Sequence, residues 1–572
     1  MIVMAVTAAL AALVAVLGLT AVLGSYGRRR TERTTSDFLV ASRGVTPLWN
    51  ASAISSEYIS AAAFLGTAGL VLAHGADMLW LPLGAVAGYV LLLALVTAPL
   101  RRSGAYTISD FAEWRLGSRV VRRLVSWCVI FIGWFYLLPQ FQGVGVTLRV
   151  LTRAPVWAGW AVVVAVVLLL VLSGGMRSIT AVQAVQFWIK LVAVAVPAVA
   201  VLSVWQLDGA ADPTTGGPPR FERVTDVRVE TGVTVRVAHP TRVRVTGTVD
   251  GAAHDGADLT LAPGGHTVGE GATLTFPAGA RVPHVDHVPA RDGTRWSMPD
   301  GASLDHGLYA VYSALLGVVL GTVGLPHILM RFYTNTCGRA ARRTAAMVPV
   351  LLSLFYVFPA LYGALGRVYM PELLMTGDTD ATILMLPQQL LPDPAGALLT
   401  GLVAAGAFAA FISTSCGIVV AIAGTVAQCV GRGSVTVFRL GVVFALVVPL
   451  ALVSEIGTLG SAVLVTLALT VSACSLCPLL VLGLWWRGLT AAGAGAGLVV
   501  GGGLAVAAGV AALFGGPWTG WPAALLEQPA LVVAPISFAV MVGVSLATRR
   551  SVPRRADRAM ARMHLPEEIV IR

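Results

Sequence analysis

The chain has 572 residues, 56% of them hydrophobic and 12% charged, with a formal net charge of +11. A composition this apolar excludes a soluble enzyme and defines a polytopic membrane protein. The positive charge would suit a nucleic-acid partner, but its placement in loops between apolar runs assigns it to membrane anchoring instead.

The first apolar run, 2–23, has no basic residue before it and Arg28, Arg29 and Arg30 after it. That is the reverse of a signal peptide, so a retained helix with its N-terminus outside is expected, in an N-terminal unit of 1–47. Apolar runs at 48–71, 78–100, 124–148, 156–172 and 180–204 form a first five-helix block, 48–206. Runs at 308–330, 346–365, 397–429, 440–453 and 457–484 form a second, 307–484, and two more spans lie in 485–548. With the first run these make about 13 transmembrane helices. The arginines support an outside N-terminus and a cytoplasmic C-terminus: the short outside loops hold only Arg149, Arg153 and Arg367. The Arg-rich tail, 549–572, is expected on the inner membrane surface.

Between the blocks, residues 207–306 are polar. Valine alternates with Arg, Thr or acid over 221–249, the period of a strand, and Gly-rich turns follow. The expectation is a small β-rich extracytoplasmic insertion. His284, Asp286 and His287 lack a further well-placed ligand and read as a solvated loop rather than a metal site. The six cysteines lie in or beside apolar spans, so no disulfide framework is indicated, and Cys474 and Cys477 read as packing residues.

Chemistry concentrates where apolar runs carry polar groups. The 48–71 run holds Ser55, Ser56, Glu57, Tyr58 and Ser60 near its middle, which a lipid-facing helix would not carry. The ionisable groups inside the expected spans are Glu57, Lys190 and His327. Glu57 and Lys190 fall at similar depth, so an intramembrane charge pair is expected. His327 follows Gly321, Gly324 and Pro326, which weaken their helix and free backbone groups that bind ions or substrates in transporters built from broken helices. Ser413, Thr414 and Ser415 place three hydroxyls in one apolar span, a donor set suited to a hard cation such as Na⁺. Gln140 and Gln142 add neutral polar groups beside Pro139. The two interrupted helices, 48–71 and 308–330, open two five-span blocks and enter from opposite sides, which is the pattern of an inverted repeat.

Six runs in order carry a family resemblance: DFLVASR at 37–43, EYISAAAFLG at 57–66, TISDF at 107–111, GGMRSIT at 174–180, VQFWIK at 185–190 and, most specific, GTVGLPHILMRFYT at 321–334. The chain resembles the sodium/solute symporter family and, within it, the cation–acetate (short monocarboxylate) branch, over nearly its whole length except the polar segment. The resemblance implies an all-α LeuT-type 5+5 core with one helix before it and two after. It also implies a sodium site made by the carbonyls of Ser56, Ile59 and Ala410 and the hydroxyls of Ser413 and Thr414. Gln183 stands where sugar-transporting relatives have an aspartate, and Glu57 where an aspartate is usual.

The expected function is Na⁺-coupled symport of acetate, propionate or pyruvate into the cell across the plasma membrane. The substrate is expected near Tyr58, Ser60, Gln140, Gly324 and His327. Na⁺ is the coupling ion and no cofactor is expected; the partners are the carboxylate, Na⁺ and the bilayer, with no nucleic acid and no obligate protein partner. The alternatives are proline, another amino acid or pantothenate as substrate, H⁺ as coupling ion and, more remotely, a transporter-like sensor.

Overall fold

The computed structural model describes residues 2–29, 41–285, 288, 291–301, 306–430, 434–455, 461–514 and 518–565. Among these, eleven helices are long and apolar enough to cross a membrane. The count of about 13 differs for two reasons. The 156–172 span is a shorter apolar helix, and the 48–71 run is split, its second half merging with the next span into Ala62–Leu95. The sequence places the first split at a physical weak point. Pro47–Tyr58 is a regular helix with Pro at its start, but Ile59 leaves helical geometry (φ −72°, ψ 84°). The chain re-enters through a π-turn at Ala62–Gly66 before Thr67–His74.

The second break falls at Leu325 (φ −62°, ψ 116°), which ends Gly307–Gly324 and precedes Pro326–Phe332. Pro326 supplies no N–H and biases Leu325 toward extended backbone. A third kink, at Gly175 (φ 61°, ψ −170°), divides the long run Val156–Leu207 into the two expected spans. Ala395–Val430 is buried along most of its length and packs against the Val156–Leu207 run, the N-terminal helix Ile2–Arg29 and Arg119–Thr152. It is the central post of the bundle, and the two broken helices lean on it.

The polar segment holds strands. Seven, β1 (Thr225–Arg228), β2 (Val233–Val237), β3 (Thr241–Val249), β4 (Ala252–Leu261), β5 (Gly264–Val268), β6 (Thr273–Phe276) and β7 (His284–Val285), form one antiparallel sheet ordered β1-β6-β3-β5-β2-β7, with β4 on β3. The alternation puts Val227, Val235, Val243, Val245 and Leu274 inside and the arginines out. Asp286 and His287 lie outside the described residues, as do 37–40 of the first motif; among the described residues no group of three His, Cys, Asp or Glu is placed to hold a metal.

The chain leaving the sheet does something the sequence did not announce: it hooks into the helix bundle. Trp296 is buried, donates its indole N–H to the carbonyl of Leu72 (3.1 Å) and lies under the Arg367 guanidinium at 5.0 Å. Gly301 N–H donates to Asp77 (2.7 Å). Gly75 sits at φ 75°, and a Cβ there would lie 1.8 Å from the Trp296 carbonyl oxygen, so the close approach needs glycine. The described part of the tail makes contacts of its own. Ala556–His564 docks on the bundle, with Met563 fully buried and His564 Nε2 2.8 Å from the carbonyl of Leu484.

Candidate coupling and substrate sites at the broken helices

A broken helix inside a membrane needs partners for the backbone groups it frees, because water is absent. At the first break the Ile59 and Ser60 N–H groups turn back to the carbonyls of Ser55 (3.0 Å) and Tyr58 (2.8 Å), and other helices supply further partners. Gln140 Oε1 accepts from the Ala61 N–H (3.0 Å). The Thr414 hydroxyl donates to the carbonyl of Glu57 (2.8 Å) and reaches that of Ile59 at 3.4 Å. Ser413 Oγ lies 3.0 Å from the carbonyl of Ser56 and 3.1 Å from that of Ala410. The five residues expected to bind sodium, Ser56, Ile59, Ala410, Ser413 and Thr414, thus converge on one cage of oxygens.

Lys190 occupies that cage. Its ammonium donates to the carbonyl of Ser56, to that of Ile59 (3.0 Å) and to Ser413 Oγ (2.5 Å), and the residue is fully buried. The expected Glu57–Lys190 charge pair is therefore not formed. Glu57 pairs instead with Arg331, whose Nε donates to Oε2 at 2.6 Å, both side chains being essentially inaccessible. The same guanidinium donates to Thr180 Oγ1 (2.7 Å), to Gln183 Oε1 and toward Met176 Sδ (3.0 Å). Gln183 Nε2 in turn donates to the carbonyl of Ser413 (2.6 Å). One buried network thus ties both broken helices to Ala395–Val430.

Arg331 was the residue missed. The expected span, 308–330, stops one residue short of it. The signal was present: Pro326 begins a new short helix, so the next six residues stay inside the bundle and carry Arg331 with them. Space around the pair is tight. A Cβ on Gly417 would lie 1.7 Å from Glu57 Oε1. Gly417→Ala is therefore expected to push the carboxylate off Arg331 and to cost about 1–3 kcal/mol, as overpacking does, measured by thermal unfolding of the detergent-solubilised protein.

The residues assigned to substrate divide. Tyr58 and Ser60 line a cavity of about 50 Å³ with Tyr136, Tyr356, Ala85 and Val318. The Tyr58 hydroxyl lies 2.9 Å from Thr322 Oγ1, which bridges the two broken helices. Gln140 does not line this cavity; it caps the break and bonds back to the carbonyl of Tyr136 (3.2 Å). Gly324 lies where a Cβ would meet Ser472 Oγ at 2.6 Å, and His327 stacks edge-on against Tyr136 at 5.0 Å. Both belong to the packing around the second break.

Two interrupted helices with polar sites at their breaks, set in a bundle against one central helix, define a secondary transporter rather than an enzyme. The model of the Sodium:solute symporter family matches residues 38–211 and 290–501, and the chain belongs to that family. An uncharacterized symporter of Bacillus subtilis (strain 168) is 25% identical over 543 residues, covering 92% of this chain and 91% of its own. A monocarboxylic acid transporter of Corynebacterium glutamicum is 28% identical over 495 residues, 83% of this chain and 78% of its own. A solved Na⁺-coupled sialic acid symporter, in a substrate-bound outward-open state, has a TM-score of 0.61 at 12% identity over 94% of this chain and 98% of that one. The last likeness shows the LeuT-type fold.

Proposed function

We propose that the chain imports a short monocarboxylate, such as acetate, propionate or pyruvate, by cation-coupled symport through alternating access. The observation that carries this reading is the cavity at the first break. About 50 Å³ is space for roughly three or four waters, a scale that suits a small substrate. Its polar lining is Tyr58, Ser60, Thr67, Tyr136, Tyr356 and Thr466, all uncharged. The helix restarts beyond the break at Ala62–Gly66, and the positive end of its dipole favours a carboxylate. The 28% identical relative named for monocarboxylic acids supports the same class. The plasma membrane, with the N-terminus outside and the C-terminus in the cytoplasm, is the setting this reading takes.

The test is uptake of radiolabelled acetate and pyruvate into proteoliposomes under an imposed Na⁺ gradient or an imposed pH gradient. Accumulation of either acid is expected. Ala85→Leu places three more carbons in the cavity and is expected to reduce that uptake at least about tenfold, the cost of leaving a small ligand's polar groups unpaired, while the protein stays monodisperse. Accumulation of neither acid, with uptake of proline or pantothenate instead, would overturn the substrate class.

A further inference from the structure

The family's description calls for Na⁺, and the oxygens expected to hold it are present, but their arrangement here serves another cation. An ammonium has three N–H donors. Lys190 Nζ meets three acceptors, the carbonyls of Ser56 and Ile59 and the hydroxyl of Ser413. Three of the five oxygens a sodium ion would use are thereby taken, and a second positive charge among them would meet the first at contact distance in a dry interior. The direct ion pair of Glu57 is with Arg331, so the carboxylate that lies nearest this cage is already neutralised by another cation. The amine comes from the Val156–Leu207 run, whereas the oxygens come from Pro47–Tyr58, its break and Ala395–Val430, so the side chain bridges three elements as a bound ion would.

We propose that Lys190 is the cation of this cage, a tethered substitute for Na⁺ that closes the first broken helix onto the central helix, so that the wild-type cage does not take up Na⁺. The proposal rests on reading the cage as the family's coupling-cation site, but it does not depend on which acid is carried.

The experiment compares thermal unfolding and ²²Na⁺ binding of the purified full-length protein in NaCl and in choline chloride, at one ionic strength and one pH. Wild type is expected to bind no Na⁺ at the cage and to unfold at the same temperature in both salts. Lys190→Met leaves the five oxygens without their cation, and is expected to gain saturable Na⁺ binding and to be stabilised by NaCl over choline chloride. Adding Ser413→Ala and Thr414→Val to Lys190→Met should remove that gain. Saturable Na⁺ binding by wild type that Ser413→Ala/Thr414→Val abolishes would overturn the proposal. So would a Lys190→Met protein that folds without gaining Na⁺ binding, or one that fails to fold in either salt, since a cage built for a cation is refilled by the free ion. Absence of acetate and pyruvate uptake, with these binding results intact, would count against the substrate reading alone.

Discussion

Arg331→Met is expected to destabilise the protein by about 3–5 kcal/mol, the cost of leaving one member of a buried ion pair without its partner, and to abolish transport. Arg331 neutralises Glu57 and also holds Thr180 and Gln183 from the Val156–Leu207 run. Its removal strands a carboxylate whose second oxygen, Oε1, already has no hydrogen-bond partner among the described residues. Adding Glu57→Gln to Arg331→Met removes the stranded charge and is expected to recover most of the stability, though not the transport. Such a non-additive result is the signature of direct coupling. Thermal unfolding of the two single variants and the double variant checks it; a double variant as unstable as the two losses summed would show that the residues act separately.

The second large effect is expected at Trp296. Trp296→Ala should cost about 3–5 kcal/mol, as truncation of a buried Trp does, but the loss should be local. The indole holds the carbonyl of Leu72 and the Arg367 guanidinium, beside the Gly75 turn that follows the first broken helix. Faster amide exchange over 72–79 and 291–301, with unchanged protection around Ser413 and Thr414, is the expected pattern. Uniform loosening of the whole bundle would mean instead that Trp296 supports the core.

What the sequence disclosed follows from what periodicity and cost encode. Apolar runs set the spans, a carboxylate in an apolar run marks a buried site, and Pro326 after two glycines marks a break; each is a local property. The valine alternation over 221–249 likewise gave strands. Pairing is not local. Depth along a helix put Glu57 level with Lys190, but depth says nothing about which way a helix is turned. Lys190 reaches past the carboxylate to the carbonyls of Ser56 and Ile59, while Arg331, one residue beyond an expected span, folds back to take Glu57. The sheet order, in which β6 lies between β1 and β3, and the docking of Met563 into the bundle depend in the same way on contacts between distant residues.

The place where the sheet joins the bundle makes it a cassette. The family match stops at residue 211 and resumes at 290, just ahead of the hook. The entering and leaving strands of chain meet there: the Gly293 N–H donates to the carbonyl of Gly216 at 3.1 Å, and a Cβ on Gly293 would touch Thr214 and Thr215. An excursion whose ends already touch adds little constraint to the body it leaves, because loop-closure entropy grows only with the logarithm of length. Changes in the length of the sheet are therefore expected to leave the hook, and the helix break it buttresses, in register.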